Sequence, residues 1–115
     1  MKDYKVIFHI DELDKWNLLL ANVSNLLEAI SDNKVNIEVL ANSKAVEYYR
    51  KNNKDTKIDE MELLNNKGVK FLACNNSLRG FSLKPDELIN FIDIVPVGVL
   101  ELVNKQMEGY AYLKP

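Results

Sequence analysis

The sequence has little of what most enzyme chemistry depends on. Cysteine occurs once, as Cys74, and histidine once, as His9. A lone cysteine excludes a disulfide within the chain and points to a reducing compartment. It also removes a Cys-x-x-Cys redox pair. One cysteine and one histidine cannot complete an ordinary zinc site from a single chain, so no metal is expected. The four glycines, Gly68, Gly80, Gly98 and Gly109, form neither a dinucleotide-binding fingerprint nor a phosphate-binding P-loop. No Gly-x-Ser-x-Gly is present, which leaves a hydrolase triad without support.

Excess positive charge is missing as well. The net charge is −2, and Arg50 and Arg79 are the only arginines, so nothing marks a nucleic-acid partner. The charge-rich stretch from Arg50 to Glu62 mixes both signs and reads as solvated helix surface. No apolar run approaches the roughly 20 residues that span a bilayer. The start, Met1-Lys2-Asp3-Tyr4, lacks the length and cleavage site of a signal peptide. A cytoplasmic protein without membrane association is expected.

What is present suits one globular domain over residues 1–115, with 47% hydrophobic and 28% charged residues. Short apolar runs alternate with segments of helical period. Val6–Ile10 reads as a first strand. Trp16, Leu19, Leu20, Val23, Leu27 and Ile30 mark one face of a helix of about 17 residues. Val35–Leu40 is a second strand, and Ser43 can cap a helix that turns Ala45, Val46 and Tyr49 inward. Thr56 with Asp59 resembles a capping pair for a third helix, closed by Gly68. Val69–Cys74 is a third strand leading into a loop, Asn75–Gly80. Pro85 opens a short helix. Ile92–Val95 is a fourth strand, Val97–Met107 the last helix, and Tyr110–Leu113 a fifth strand. A helix between successive strands and near-continuous apolar strands predict an α/β fold: a three-layer α/β/α sandwich around a five-stranded, mainly parallel sheet.

In such sheets ligands bind beyond the carboxyl ends of the strands. His9, Asn42 and Cys74 all fall on that edge. If a helical turn begins at Asn76 or Ser77, its free amides favour a thiolate at Cys74, and Arg79 can add a cation. The opposing reading makes Cys74 a small buried hydrophobe. His9 can serve as acid or base beside the sulfur, or simply satisfy backbone groups. Asn22 and Asn25 share a helix face as a subunit contact or as ordinary surface. Tyr48, Tyr49, Phe81, Tyr110 and Tyr112 fill either the core or a contact between copies.

The segment Ala73-Cys74-Asn75-Asn76-Ser77-Leu78-Arg79-Gly80, followed by Pro85-Asp86-Glu87-Leu88, resembles the cysteine loop of DsrE/DsrF-like proteins. Asn22-Val23-x-Asn25-Leu26-Leu27, Val95-Pro96-Val97-Gly98-Val99 and the run Gln106 to Leu113 with Pro115 fit the same family, closest to a branch of small stand-alone members with no assigned role. The resemblance implies a three-layer α/β fold, assembly into oligomers, and a cysteine at the position of Cys74 that carries sulfur as a persulfide between a donor and an acceptor protein. The expectation is a sulfur-relay protein, a persulfide carrier or sulfurtransferase-like protein, with Cys74 as nucleophile. Asn75, Asn76, Ser77 and Arg79 shape its loop, and His9 and Asn42 lie beside it. A single thiol suits this role, because a second one nearby would discharge the persulfide as a disulfide. No cofactor is needed. The alternatives are a non-catalytic oligomeric binding or assembly module, and redox sensing through sulfenic acid at Cys74.

Overall fold

The apolar runs pair into one sheet of five strands. The computed structural model describes residues 2–115; Met1, where the N-terminal reading began, lies outside them. Strands β1 (Asp3–Ile10), β2 (Lys34–Ala41), β3 (Lys70–Cys74), β4 (Asp93–Val95) and β5 (Ala111–Leu113) lie in the order β4-β3-β2-β1-β5. Every neighbouring pair is parallel. The helices are α1 (Trp16–Ala29), α2 (Ile58–Asn66), α3 (Asn75–Gly80) and α4 (Gly98–Met107). Short 3₁₀ helices cover Leu13–Lys15, Ser43–Tyr49 and Pro85–Glu87. No helix among the described residues is long and apolar enough to cross a membrane.

Side chains alternate across the strands, so the register sorts them onto two faces. Phe8 aligns with Val39, and Val39 with Phe71. These pack with Val6, Ile10, Ile37, Ala41 and Ala73 under buried residues of α1, α2, α3 and the 43–49 segment. Trp16 stacks on Tyr48 with centroids 4.6 Å apart and meets Tyr49 edge-on. Their polar atoms are satisfied inside: Trp16 Nε1 donates to Ala45 O at 2.9 Å, and the Tyr49 hydroxyl donates to Leu72 O at 3.1 Å. Buried aromatics with paired polar atoms fix one arrangement of this face. The other face is thinner. Ile7, Leu40 and Leu72 pack there under Leu102 of α4. Helices on both faces make the three layers.

Several local expectations change. Asn75–Gly80 is the helix α3, not a loop. Leu78 is buried in the core, and the Leu78 carbonyl accepts from the Leu83 amide at 2.8 Å. The 43–49 segment is 3₁₀ instead of α-helical. Three residues per turn stack Ala45 over Tyr48 and Val46 over Tyr49, and all four are buried. Thr56 does not cap α2; its hydroxyl donates to Tyr48 O at 2.6 Å. Gly68 does end α2, at φ +101, where only glycine sits without strain. The edge strands β4 and β5 are short and largely exposed, so burial on both faces belongs to the central strands. Tyr48 and Tyr49 are core residues, whereas Phe81 and Tyr112 stay exposed.

Candidate functional site

Cys74 ends β3 and precedes the first residue of α3. The adjacent strand, β4, leads through Pro96 and Val97 into α4. The connection after β3 returns on the aromatic face, while the one after β4 crosses the opposite face. Two neighbouring parallel strands whose connections leave to opposite sides form the topological switch point at which open α/β sheets bind ligands. The sulfur lies there, between the N-termini of α3 and α4.

Its contacts follow from that address. The Gly98 amide, first in α4, donates to Cys74 Sγ at 3.3 Å. Burial pushes the Cys74 thiol up, but the Ser77 amide and hydroxyl, the Gly98 amide and the Asn76 amide pull it down. The balance lies below the ordinary thiol value, as expected where unpaired helix amides meet a thiolate. Ser77 can serve the sulfur because its oxygen accepts from the Ser43 amide at 2.7 Å, leaving the hydroxyl proton free to donate elsewhere. Ser43 holds this pose at φ +53, an uncommon conformation for a residue with a side chain. Cys74 itself is only 5% exposed. The thiol is thus both buried and hydrogen-bonded at its sulfur.

The sequence offered Gly98 only within the family-like segment Val95-Pro96-Val97-Gly98-Val99, not as a neighbour of the sulfur. A Cβ there would stand 2.9 Å from Cys74 Cβ, 3.2 Å from its Sγ and 3.2 Å from a Leu40 methyl. Only glycine lets the helix start this close to the thiol. The available signal was its place directly after Val95-Pro96-Val97, on the carboxyl edge.

The other expected residues divide. Asn75 and Ser77 are half-buried in α3, and Asn76 is exposed. Arg79 is exposed in the last turn of α3 and is not among the groups acting on the sulfur. His9 and Asn42 come together: His9 Nε2 lies 2.9 Å from Asn42 Oδ1, and His9 Nδ1 lies 2.6 Å from the Tyr112 hydroxyl. With the Asn42 oxygen only accepting, this network assigns the His9 proton to Nε2, and Nδ1 then accepts from Tyr112. Ala41 aligns with Ala73, so Asn42, one residue on, stands level with Cys74. From the sequence Tyr112 was read only as part of an aromatic tail for the core or a contact between copies; its hydroxyl instead meets His9. Both ring nitrogens of His9 are occupied by Asn42 and Tyr112, and neither His9 nor Asn42 is among the groups acting on the sulfur.

Among the described residues, no three His, Cys, Asp or Glu side chains converge as metal ligands. Two open clefts lie elsewhere. One of about 570 Å³ includes Asp11, Asp14, Trp16, Lys44, Tyr48 and Asp55 in its lining. Another of about 700 Å³ runs between α1 and α2 past Leu27, Glu28, Leu63 and Lys67.

No curated protein matches the chain. A protein of unknown function from Methanobacterium thermoautotrophicum, MTH1491, is 37% identical, with a TM-score of 0.89 over 98% of this chain and 100% of that one. The ychN protein of E. coli shares the fold at 17% identity, with a TM-score of 0.83 over 97% of this chain and 99% of that one. BT1422 of Bacteroides thetaiotaomicron, a conserved protein of unknown function, does so at 18% identity, with a TM-score of 0.72 over 96% and 94%. The model of the DsrE/DsrF-like family matches residues 6–115, a span that takes in the Cys74 site and every strand but the start of β1, and the chain belongs to the DsrE/DsrF-like family.

Proposed function

We propose that this protein is a single-cysteine sulfur carrier in which Cys74 accepts and passes on sulfur as a persulfide. The observation that carries the reading is the thiol at the switch point, with the Gly98 amide on its sulfur and its acidity raised by the amides around it. In the loading step the Cys74 thiolate attacks the terminal sulfur of a donor persulfide. The donor S–S bond breaks, a Cys74 Sγ–S bond forms, and the donor leaves as a thiolate, with no net oxidation. Transfer to an acceptor nucleophile runs the same exchange in the other direction. Burial of Cys74 favours retention of the sulfur and requires the donor to open the crevice between α3 and α4. Asn75, Asn76 and Ser77 shape that crevice, Arg79 at its rim meets an anionic partner, and His9 with Asn42 lines the neighbouring strand ends.

The carrier works as a homo-oligomer in the cytoplasm, exchanging sulfur with donor and acceptor proteins. The apolar outer face of α4, with Val99, Leu100, Val103 and Met107 exposed, supports contact between copies, since patches of this kind mark interaction surfaces. A second reading, a non-catalytic binding module, is favoured by the cleft beside Asp11 and Trp16 at the ends of β1 and β2.

Incubation with a persulfide donor, followed by intact-mass measurement, separates the two. The carrier gains the mass of one sulfur, and Cys74→Ala gains none. Equal addition to both proteins, or none to either, removes the carrier reading.

A further inference from the structure

Among the described residues Glu38 is the one buried charged side chain, at 6% exposure. It rises from the middle of β2 onto the face covered by α4. Lys105 Nζ lies 3.5 Å from its Oε2 and bridges to Glu101 at 4.0 Å and Glu108 at 3.6 Å. Glu38 Oε1 is buried with no hydrogen-bond partner, an arrangement that is costly for a carboxylate oxygen. Glu101 and Glu38 share the Lys105 ammonium, and two ionised carboxylates can only accept. A proton on Oε1 turns the orphan acceptor into a donor towards Glu101.

The surroundings offer no other solution. The turn before β5 brings Tyr110, whose ring centroid is 5.3 Å from Lys105 Nζ. From β3, Lys70 is aligned with Glu38 but exposed. From β1, Ile7 is aligned with Glu38, and Lys5 lies one alternation back on the same face. Neither Lys5 nor Lys70 forms an ion pair with Glu38, so Lys105 is its counter-charge.

We propose that Glu38 and Glu101 share one proton beside Lys105, and that this proton seats α4, making Glu38 a positioning residue for the Gly98 amide on the Cys74 sulfur. The inference rests on the reading of Cys74 as the reacting atom. Its geometry is direct. Gly98 and Leu102 are the buried residues of α4, and Glu101 follows Gly98 by about one helical turn. Whatever lifts the first turns of α4 from β2 also draws the Gly98 amide from the sulfur.

Burial first, and then the hydrogen bond and charge of Glu101, raise the Glu38 carboxyl to about 7, against the lowering pull of Lys105. The shared proton is therefore lost near neutrality. Once it leaves, two carboxylates confront each other across one lysine in a poorly hydrated space, and like charges at short range disfavour that state. Helix α4 relaxes outward, the thiolate loses a donor, and the thiol becomes less acid.

The test is iodoacetamide alkylation of Cys74 against pH, in the wild type and in Glu38→Gln, which keeps a donor towards Glu101 but cannot ionise. Glu38→Gln should follow a single-proton curve. Above pH 7 the wild type should react about tenfold more slowly than Glu38→Gln at equal pH, the loss expected for one amide donor to a charged sulfur. Superimposable curves would overturn the proposal. If Glu38→Gln does not fold, NMR titration of the wild type decides. The Gly98 amide resonance should move with the midpoint of the Glu38 carboxyl carbon, and a Gly98 signal indifferent to that midpoint overturns the coupling. Neither readout uses sulfur loading, so failure of the carrier reading and failure of this coupling are separate results.

Discussion

On one face of the sheet α1, α2, α3 and the 43–49 segment bury Trp16, Tyr49 and Phe71 almost completely; Trp16 and Tyr49 donate to backbone carbonyls, and the Tyr48 hydroxyl accepts from the Lys57 amide. On the other, Leu102 of α4 covers Ile7, Leu40 and Leu72, with only Val95 and Tyr110 packed beside them, and the same face carries Glu38, His9, Asn42 and Cys74. The first face is saturated and leaves nothing to titrate near neutrality. The second has fewer apolar contacts, one orphaned carboxyl oxygen and the polarised thiol. Few buried contacts make a region cheaper to move. The Cys74 thiol and the buried Glu38 carboxyl share the thin layer, while the thick layer holds the strands in register beneath both.

That contrast can be broken most forcefully from the thick side. Trp16→Ala removes the largest buried side chain together with its stack on Tyr48. It should cost about 4 kcal/mol, whereas Leu102→Ala should cost about 2, near the lower end for a leucine that keeps some exposure. Urea midpoints of the two variants measure the difference, and equal losses would mean the faces are equally packed.

The next effect is in the pH dependence of stability. Glu38 ionises at about 7 when folded, against an ordinary value of 4.5. The folded chain therefore binds more protons than the unfolded one between those values. Stability is highest at acid pH, declines as pH rises from 4.5 to 7, and is lowest above 7, by at most about 3 kcal/mol from this group. Glu38→Gln should remove that decline; comparison of its urea midpoint with that of the wild type at pH 5 and pH 8 measures it.

Gly98→Ala should have the smallest effect on stability and a specific one on the thiol. A methyl group 2.9 Å from Cys74 Cβ must push the start of α4 away. The expected result is an alkylation rate at pH 7 lower by about tenfold, from loss of the amide donor, with a destabilisation of about 1 to 2 kcal/mol. An unchanged rate would show that the amides of α3 suffice for the sulfur.

Much of the fold could be read along the chain because its signals are local. The period of Trp16, Leu19, Leu20 and Val23 marks α1, and the continuous apolar runs mark β1, β2 and β3. The weaker elements misled for physical reasons. α3 is too short to show a period, and its single buried residue, Leu78, is held by core residues far away in sequence. Segment 43–49 winds as a 3₁₀ helix where Trp16, far away in sequence, packs against Tyr48 and Tyr49 and donates to Ala45 O, and where Leu72 O accepts from the Tyr49 hydroxyl. In the site, Cys74 and its following amides were legible from their place at the end of a strand. Gly98, Tyr112 and the pairing of Glu38 with Glu101 were not. Each depends on a partner at least 24 residues away for Gly98 and 103 for Tyr112.

By itself, then, the sequence determined the kind of chain this is: alternating strands and helices, a single thiol, and that thiol on the edge where parallel sheets bind ligands. These are one-dimensional facts, set by composition, period and the direction of the strands. Tertiary structure alone decided that β3 and β4 send their connections to opposite faces, bringing the first amide of α4 onto the sulfur. It also decided that one thinly covered face should hold a buried carboxyl group with Lys105 on one oxygen and no hydrogen-bond partner on the other. Proximity between distant residues is a property of the strand order and the crossings, and no local pattern encodes it.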